Sequence, residues 1–299
     1  MSKIAVTVLM GGPDAERGVS IKSGTAVAEA LRNANEFTVT EVVIDTTTTD
    51  ELQQMSADVF FPVLHGPYGE GGPLQKLLEQ TNIPFVGSDS QSSMIAMNKI
   101  RTKEIARSIG IQTPNWQELT HDTPWELALP LILKPVDDGS SVDMAVCTTN
   151  EEVLRTRKQL QISRSILLAE SYIQGREITI GIIDGTPLPI IEIVTPENIE
   201  TYDFSSKYER NDTTYIFNPE LPESNCVADA VSLYNELCVR DIARVDFMFD
   251  DRGAWLLELN TMPGFTDHSL VPMAAHHAGT SMQALCATLV QCAYRRKIK

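Results

Sequence analysis

The sequence has no uninterrupted apolar run near the ~20 residues that a membrane-spanning helix needs, so no membrane partner is expected. It begins "MSKIAVTVLMGG", directly as a strand, and lacks the long apolar core and small-residue cleavage site of a secretory signal. Cysteine is scarce: five residues, an odd number with no CxxC, argue against a disulfide framework and against a zinc ribbon. A cytoplasmic protein is therefore expected. Positive charge is also scarce. Lys and Arg number 24 against 40 Asp and Glu, a formal charge of −16, which disfavours nonspecific nucleic-acid binding. The familiar nucleotide and hydrolase signatures are missing too. There is no G-x-x-x-x-G-K-[ST], no G-x-G-x-x-G after the first strand, no H-E-x-x-H and no G-x-S-x-G. No internal repeat is evident.

What remains is an ordinary globular composition, 42% hydrophobic and 21% charged, over 299 residues, enough for two or three modest domains. "KIAVTVLMGG" predicts a buried strand ending in a glycine turn, and "ERGVSIKSGTAVAEALRN" a helix with Val19, Ala26, Ala30 and Leu31 near a helical period. "FTVTEVVID" and "ADVFFPVLHG" predict further strands, with a helix over "GGPLQKLLEQTN". This alternation reads as an open α/β domain over residues 1–95. It places Glu16, His65 and Gly66 at the strand C-termini, where such sheets bind ligands. Beyond residue 95 the pattern becomes α+β. "SSMIAMNKIRTKEIARSIGI" reads as one helix ending near Gly110, and "NEEVLRTRKQL" as another with Asn150 as its N-cap. The expected division is 96–180 and 181–299.

The C-terminal part holds the most informative pattern, "ARVDFMFDDRGAWLLELNTMPGF". It predicts two strands around a three-residue loop, Asp251-Arg252-Gly253. That register sets Asp246 opposite Glu258 and Arg244 opposite Asn260. Glu258 and Asn260, two apart, share one face, and Leu257 and Leu259 share the other. A solvated sheet face would explain scattered charges. Clustered carboxylate and amide oxygens also suit a hard cation such as Mg²⁺.

"LILKPVDDGSSVD" places Lys134 at the end of an apolar strand, before the loop Gly139-Ser140-Ser141. A lysine there commonly snorkels to solvent. Beside exposed backbone N–H groups and hydroxyls it could instead neutralise phosphates. Glu170 at a strand end and Glu177 complete the outline of a cleft that holds a nucleotide between two sheets.

These segments resemble the D-alanine–D-alanine ligases of the ATP-grasp superfamily. The resemblance covers nearly the whole chain and rests on "GGPDAERGVSIKSG" (11–24), "HGPYGEGGPLQ" (65–75), "LKPVDDGSSV" (133–142), "YDFSSKY" (202–208) and "ARVDF…LLELNTMPGFTDHSLVPMAA" (243–275). It implies an ATP-grasp fold after the N-terminal domain and an ATP-dependent ligase that serves peptidoglycan synthesis. D-alanine and ATP would be its substrates, and the enzyme would be a homodimer. It implies two Mg²⁺, with Mn²⁺ able to substitute, held by Asp246, Glu258 and Asn260. By the same resemblance Lys99 and Lys134 contact phosphates, and Ser140 and Ser141 lie in the loop over them. Glu170, Ser171, Tyr172, Ile173 and Glu177 would receive adenine and ribose. Glu16 would hold the ammonium of the first D-alanine, with His65 nearby. Arg244 and the Gly264 N–H would stabilise the tetrahedral oxyanion, and Ser269 and Leu270 would receive the second carboxylate. Ser140, Lys207 and Tyr208 would belong to closing loops.

The chain departs from the family pattern in two places. Asp138 and Asp143 stand at the ends of a segment that commonly reads Glu-Gly-Ser-Ser-Val-Gly, and Gly71 replaces a common acidic residue. Two alternatives stay open. One is a related ligase for another amino or hydroxy acid, such as D-lactate. The other is a nucleotide-binding regulator without catalysis, against which the intact Arg244, Asp246, Glu258 and Asn260 argue.

Overall fold

Strand β1 (Ile4–Gly11) is followed by helix α1 (Arg17–Asn33), β2 (Phe37–Ile44), α2 (Thr49–Gln54), β3 (Val59–Pro62), α3 (Gly66–Glu70) and α4 (Pro73–Thr81). The computed structural model describes residues 3–139, 143–195, 213–222 and 224–296. The three strands form a parallel sheet in the order β2-β1-β3, as the α/β alternation predicts. The inward face of α1 differs from the apolar period. Val19 and Ala26 are only half-buried, whereas Ser20, Ser23 and Gly24 are buried with Val27, Ala28 and Leu31. Their small size lets the helix sit close, and the hydroxyls are satisfied. Ser20 Oγ accepts from the Gly11 N–H (2.8 Å) and donates to the Val63 carbonyl (2.7 Å), and Ser23 Oγ accepts from the Phe265 N–H (3.1 Å).

The single helix expected over residues 92–111 is two. Helix α5 (Ser90–Met97) stops at Asn98, whose side chain accepts from the Arg101 N–H (3.0 Å) and so caps α6 (Lys99–Ser108). The Lys99 N–H donates to the Val136 carbonyl (3.0 Å), which docks the start of α6 on the next sheet. That sheet is antiparallel, built from β4 (Trp116–Leu119), β5 (Leu131–Pro135), β6 (Ala145–Cys147) and, after α7 (Asn150–Leu160), β7 (Leu167–Ser171). Its order is β4-β7-β5-β6. Thr149, not Asn150, caps α7, through a reciprocal box with Glu152. Asn150 is the first helical residue.

A larger antiparallel sheet follows. It contains β8 (Arg176–Ile183), β9 (Thr186–Pro187), β10 (Ile191–Val194) and β11 (Thr214–Phe217). After α8 (Cys226–Glu236) come β12 (Ile242–Asp250) and β13 (Gly253–Asn260). Its order is β11-β10-β8-β12-β13, with β9 on β8. Helices α9 (Leu270–His277) and α10 (Met282–Arg296) end the chain's described part. Helix α10 packs its Leu285, Cys286, Leu289, Val290 and Ala293 into the same core as Val27 and Leu31 of α1. Residue 95 falls inside α5 and residue 180 inside β8, and residues 172–175 connect the two antiparallel sheets.

The hairpin β12–β13 has the predicted pairs, Asp246 with Glu258 and Arg244 with Asn260, but reaches them by a different route. Asp250 pairs with Gly253, so the connecting turn has two residues, Asp251 and Arg252, rather than three. The register then shifts between Asp246 and Phe247, leaving Leu257 as an extra residue on β13. Turn and bulge cancel. The bulge also changes the apolar face: Leu256 and Leu259 are buried in the core, whereas Leu257 is half-buried.

Candidate active site

The working face of the larger sheet carries Glu177 and Thr179 on β8, Arg244 and Asp246 on β12, and Glu258 and Asn260 on β13, as the cross-strand pairs require. The opposite face is apolar, with Ile178, Ile180, Val245, Phe247 and Leu256 in the core. Asp246 is buried and strongly held. Arg244 donates to it through Nε (3.0 and 3.2 Å) and Nη2 (2.9 Å), and Thr179 Oγ1 lies 2.6 Å from its Oδ1. The Asn260 side-chain oxygen accepts from the Met262 N–H (3.0 Å) and keeps a second lone pair. Among the described residues no three His, Cys, Asp or Glu side chains converge to hold a metal alone. Two carboxylates and one amide oxygen on a single face nevertheless fit Mg²⁺, which commonly takes one or two protein carboxylates and draws its other ligands from water and phosphate.

Lysines face this platform from the other side. Lys99, the first residue of α6, donates to the Asp138 carbonyl (2.5 Å) and lies 3.4 Å from Glu258 Oε2. One buried cation thus joins the loop after β5 to the acidic strand. Lys99, Asp138, Gly139, Glu70, Glu258 and Asn260 line one cavity. Lys134, at the end of β5, does not snorkel to solvent. It is buried, with Nζ 2.5 Å from Glu170 Oε2. Burial works against its charge, but Glu170 and Glu258 outweigh that and raise its pKa. Glu170 is itself 1% exposed and bridges Lys134 to Lys103. The two ammonium groups overcome the effect of burial and hold Glu170 below the usual carboxylate range. Its side chain therefore anchors both lysines inside the protein. In the stretch that follows, the Ser171 and Tyr172 N–H groups donate to the carbonyls of Asn115 and Pro130, so those two donors are already in use, and Ile173 is buried.

The N-terminal sheet contributes carboxylates. Glu16 and Glu70 are both buried, and Gly139 lies against them: a β-carbon there would stand 3.2 Å from Glu16 Oε2 and 3.4 Å from Glu70 Oε1. Glu70 Oε1 accepts from the Gly66 N–H (3.1 Å), and its Oε2 has no hydrogen-bond partner among the described residues. Burial, then the charge of Glu16, push the Glu70 pKa well above the carboxylate range. A carboxyl with a raised folded pKa favours the fold below its unfolded pKa, and that contribution is lost as pH rises through the folded value. Glu70→Gln is therefore expected to gain stability over the wild type as pH rises, reaching roughly 1–3 kcal/mol at pH 8 and vanishing near pH 4. Melting temperatures of both proteins across that range would show it, and a constant gap would mean that Glu70 is an ordinary ionised carboxylate. His65 is also buried; burial lowers its pKa to about 4, so its ring is neutral at physiological pH.

The segment after β13 turns back toward α1. Gly264 is required by close approach, since a β-carbon would stand 2.8 Å from Ser269 Oγ. Ser269 Oγ accepts from the Thr266 N–H (2.9 Å) and precedes Leu270, the first residue of α9. Gly71 has an equally direct reason. A side chain there would meet the Pro67 carbonyl oxygen at 2.4 Å, so the acidic residue common at this place does not fit this backbone. Asp143 has φ +58°, a left-handed conformation that a glycine adopts without strain.

The structure thus brings Lys99, Lys134, Glu258 and Asn260 together around a cleft between the two antiparallel sheets, with Glu16 and His65 on the N-terminal side. Ser140, Ser141, Lys207 and Tyr208 lie outside the described residues. Sequence reading missed Lys103, Glu70 and Thr179. Lys103 follows Lys99 by four positions and so shares its helix face, which was the available signal. Among Arg101, Glu104 and Arg107 it reads as one more surface charge.

Comparison with known proteins gives one consistent answer. Residues 104–291 match the family described as "D-ala D-ala ligase C-terminus", and residues 41–88 match "D-ala D-ala ligase N-terminus". The chain is 37% identical over 295 residues to the D-alanine–D-alanine ligase of Acinetobacter baumannii, covering 96% of this chain and 95% of that one. It is 40% identical over 295 residues to the ligase of Pseudomonas entomophila, covering 95% and 92%. Among solved structures, the D-alanine–D-alanine ligase of Bacillus anthracis complexed with ATP superposes with a TM-score of 0.87 at 31% identity, covering 100% of this chain and 99% of that one.

Proposed function

Since the chain belongs to the D-alanine–D-alanine ligase family, with the ATP-grasp fold, we propose that it joins two D-alanines at the expense of ATP, for peptidoglycan precursor synthesis. The observation that carries this reading is Lys99, which bridges the loop after β5 and the acidic strand β13 at the mouth of one cleft. ATP would lie there, between the two antiparallel sheets, its phosphates against Lys99 and Lys134. Asp246, Glu258 and Asn260 would hold Mg²⁺, which when bound offsets the repulsion between the triphosphate and a substrate carboxylate.

The chain's own residues account for the remaining steps. Glu16 binds the ammonium of the first D-alanine and orients its carboxylate toward the γ-phosphate. Phosphoryl transfer yields an acyl phosphate and ADP. The free amine of the second D-alanine attacks the acyl carbon; the C–O bond to phosphate breaks, and as the amide forms the amine gives up one proton, which leaves with the phosphate as hydrogen phosphate. Arg244 and the Gly264 N–H stabilise the oxyanion of that step. The second carboxylate sits at Ser269 and Leu270, at the N-terminus of α9, whose dipole favours an anion. Gly139, packed on Glu16, begins the segment that would exclude water from the acyl phosphate. His65, neutral at physiological pH, accepts or donates a hydrogen bond there without adding charge. A homodimer in the cytoplasm completes the proposal; no helix among the described residues is long and apolar enough to cross a membrane.

The test is product analysis by mass spectrometry from ATP, Mg²⁺ and a mixture of D- and L-amino acids with D-lactate. D-alanyl-D-alanine is expected to dominate at neutral pH even with D-lactate in excess. Tyr208→Phe is expected to raise the share of D-alanyl-D-lactate, most at lower pH where the competing amine is protonated, because phenylalanine lacks the hydroxyl that would tie its loop to neighbouring polar groups. D-alanyl-D-lactate as the main wild-type product would overturn the specificity, and absence of ADP formation with any amino acid would overturn the ligase reading.

A further inference from the structure

Lys103 is 0% exposed, although its neighbours Arg101, Glu104 and Arg107 on α6 are not buried. Its ammonium has three protons, and three acceptors inside the protein receive them: Thr113 Oγ1 (2.7 Å), the Leu256 carbonyl (3.3 Å) and Glu170 Oε1. No donor is left over for a substrate. Burial draws its pKa down to about 8 even though Glu170 pulls the other way. A buried charge is a poor way merely to hold a helix against a sheet, since apolar side chains of similar volume commonly do this at least as well.

The use of Lys103 becomes clear at Glu170. That carboxylate stands between two lysines, Lys103 on one oxygen and Lys134 on the other. The Lys134 ammonium stands 2.5 Å from Oε2. With Lys134 alone, Glu170 would form a closed, neutral pair, and the charge of Lys134 would be cancelled where phosphates need it. With Lys103 present, the three groups sum to +1, and Glu170 is fixed from behind. We propose that Lys103 is a positioning residue for ATP, acting through Glu170 to place Lys134 and to leave its charge free for phosphate. This rests on the reading that Lys134 meets the phosphates of ATP.

The experiment is a double-mutant cycle on ATP affinity, measured by calorimetry with Mg²⁺ on wild type, Lys103→Met, Lys134→Met and the double variant, each checked for folding by circular dichroism. Lys134→Met is expected to weaken binding about 10-fold or more, and Lys103→Met by roughly 5-fold, as for lost charge-assisted contacts. In the double variant the Lys103 substitution is expected to add no more than about 2-fold. Equal factors in both backgrounds, or full affinity in Lys103→Met, overturn the proposal and leave the Lys134 assignment standing. Full affinity in Lys134→Met overturns that assignment and, with it, the role of Lys103. If Lys103→Met does not fold, Thr113→Val, which removes one anchor of Lys103 and no charge, takes its place in the same cycle. A loss of about 2-fold that disappears in the Lys134→Met background supports the proposal, and one that persists overturns it.

Discussion

Glu258→Gln is expected to lower turnover at least ~100-fold while the protein folds normally. The side chain projects from β13 opposite Asp246, is partly exposed, and has Lys99 as its ionic neighbour at 3.4 Å. Glutamine keeps the volume and the strand but removes an anionic oxygen from the face that would hold Mg²⁺. It also replaces the ion pair of Lys99 by a neutral amide contact, so the Asp138 carbonyl becomes its stronger anchor among the described residues. The loss is therefore expected in turnover more than in melting temperature. Wild-type turnover of D-alanine by a folded, monodisperse variant would remove Glu258 from the site.

Arg244→Met should have two large effects at once. Arg244 makes three charge-assisted contacts to Asp246, which is 6% exposed. Methionine fills much of the same space but leaves a buried carboxylate with the Thr179 hydroxyl as its remaining side-chain donor among the described residues. Breaking such a pair from one side costs about 3–5 kcal/mol, and the Thr179 contact places the expectation at the lower end. Turnover should fall about 100- to 1,000-fold if Arg244 is also the proposed donor to the developing oxyanion. Arg244→Lys should regain part of the stability and little of the rate, since an ammonium cannot reproduce the planar fork. Denaturant unfolding and initial rates would be measured on the same samples. Unchanged stability together with less than about a 10-fold rate loss would show that Arg244 has neither role.

The pairing of Asp246 with Glu258 was legible because alternation along a strand is rigid, and so was the clustering of polar groups on one face of the hairpin. The way it is achieved was not. A two-residue turn plus a bulge at Leu257 gives the same pairs as a three-residue loop, and no propensity distinguishes them in "DDRGAWLLEL". The break in the helix at Asn98 was within reach, since asparagine is a strong N-cap. It was hidden by good helix formers on both sides. Ser20 and Ser23 escaped because a buried serine carries no apolar signal, and its partners, Val63 and Phe265, are far away in sequence. The roles of Lys103 and Glu70 escaped for a related reason. Burial of a charge depends on what other segments bring to it, and Glu170, Leu256 and Glu16 come from distant parts of the chain.

The position of α10 bears on the order in which the protein is made. This last helix completes the core under α1, and its final turn reaches further: Arg296 bonds the Phe85 carbonyl (2.6 Å) and both oxygens of Asp241, whose Oδ2 accepts from the Gly87 N–H (2.7 Å). Domains at the start of a chain ordinarily fold first, while the rest is still emerging from the ribosome. Here the N-terminal domain waits for residues 285–296 to cover Val27 and Leu31 and to pin the segment Phe85–Gly87. The parallel sheet can form early, but one side of α1 stays bare until α10 has emerged. A nascent chain stalled before α10 would expose that apolar side to chaperones, and a fragment ending at residue 95 would be sticky rather than a free-standing domain.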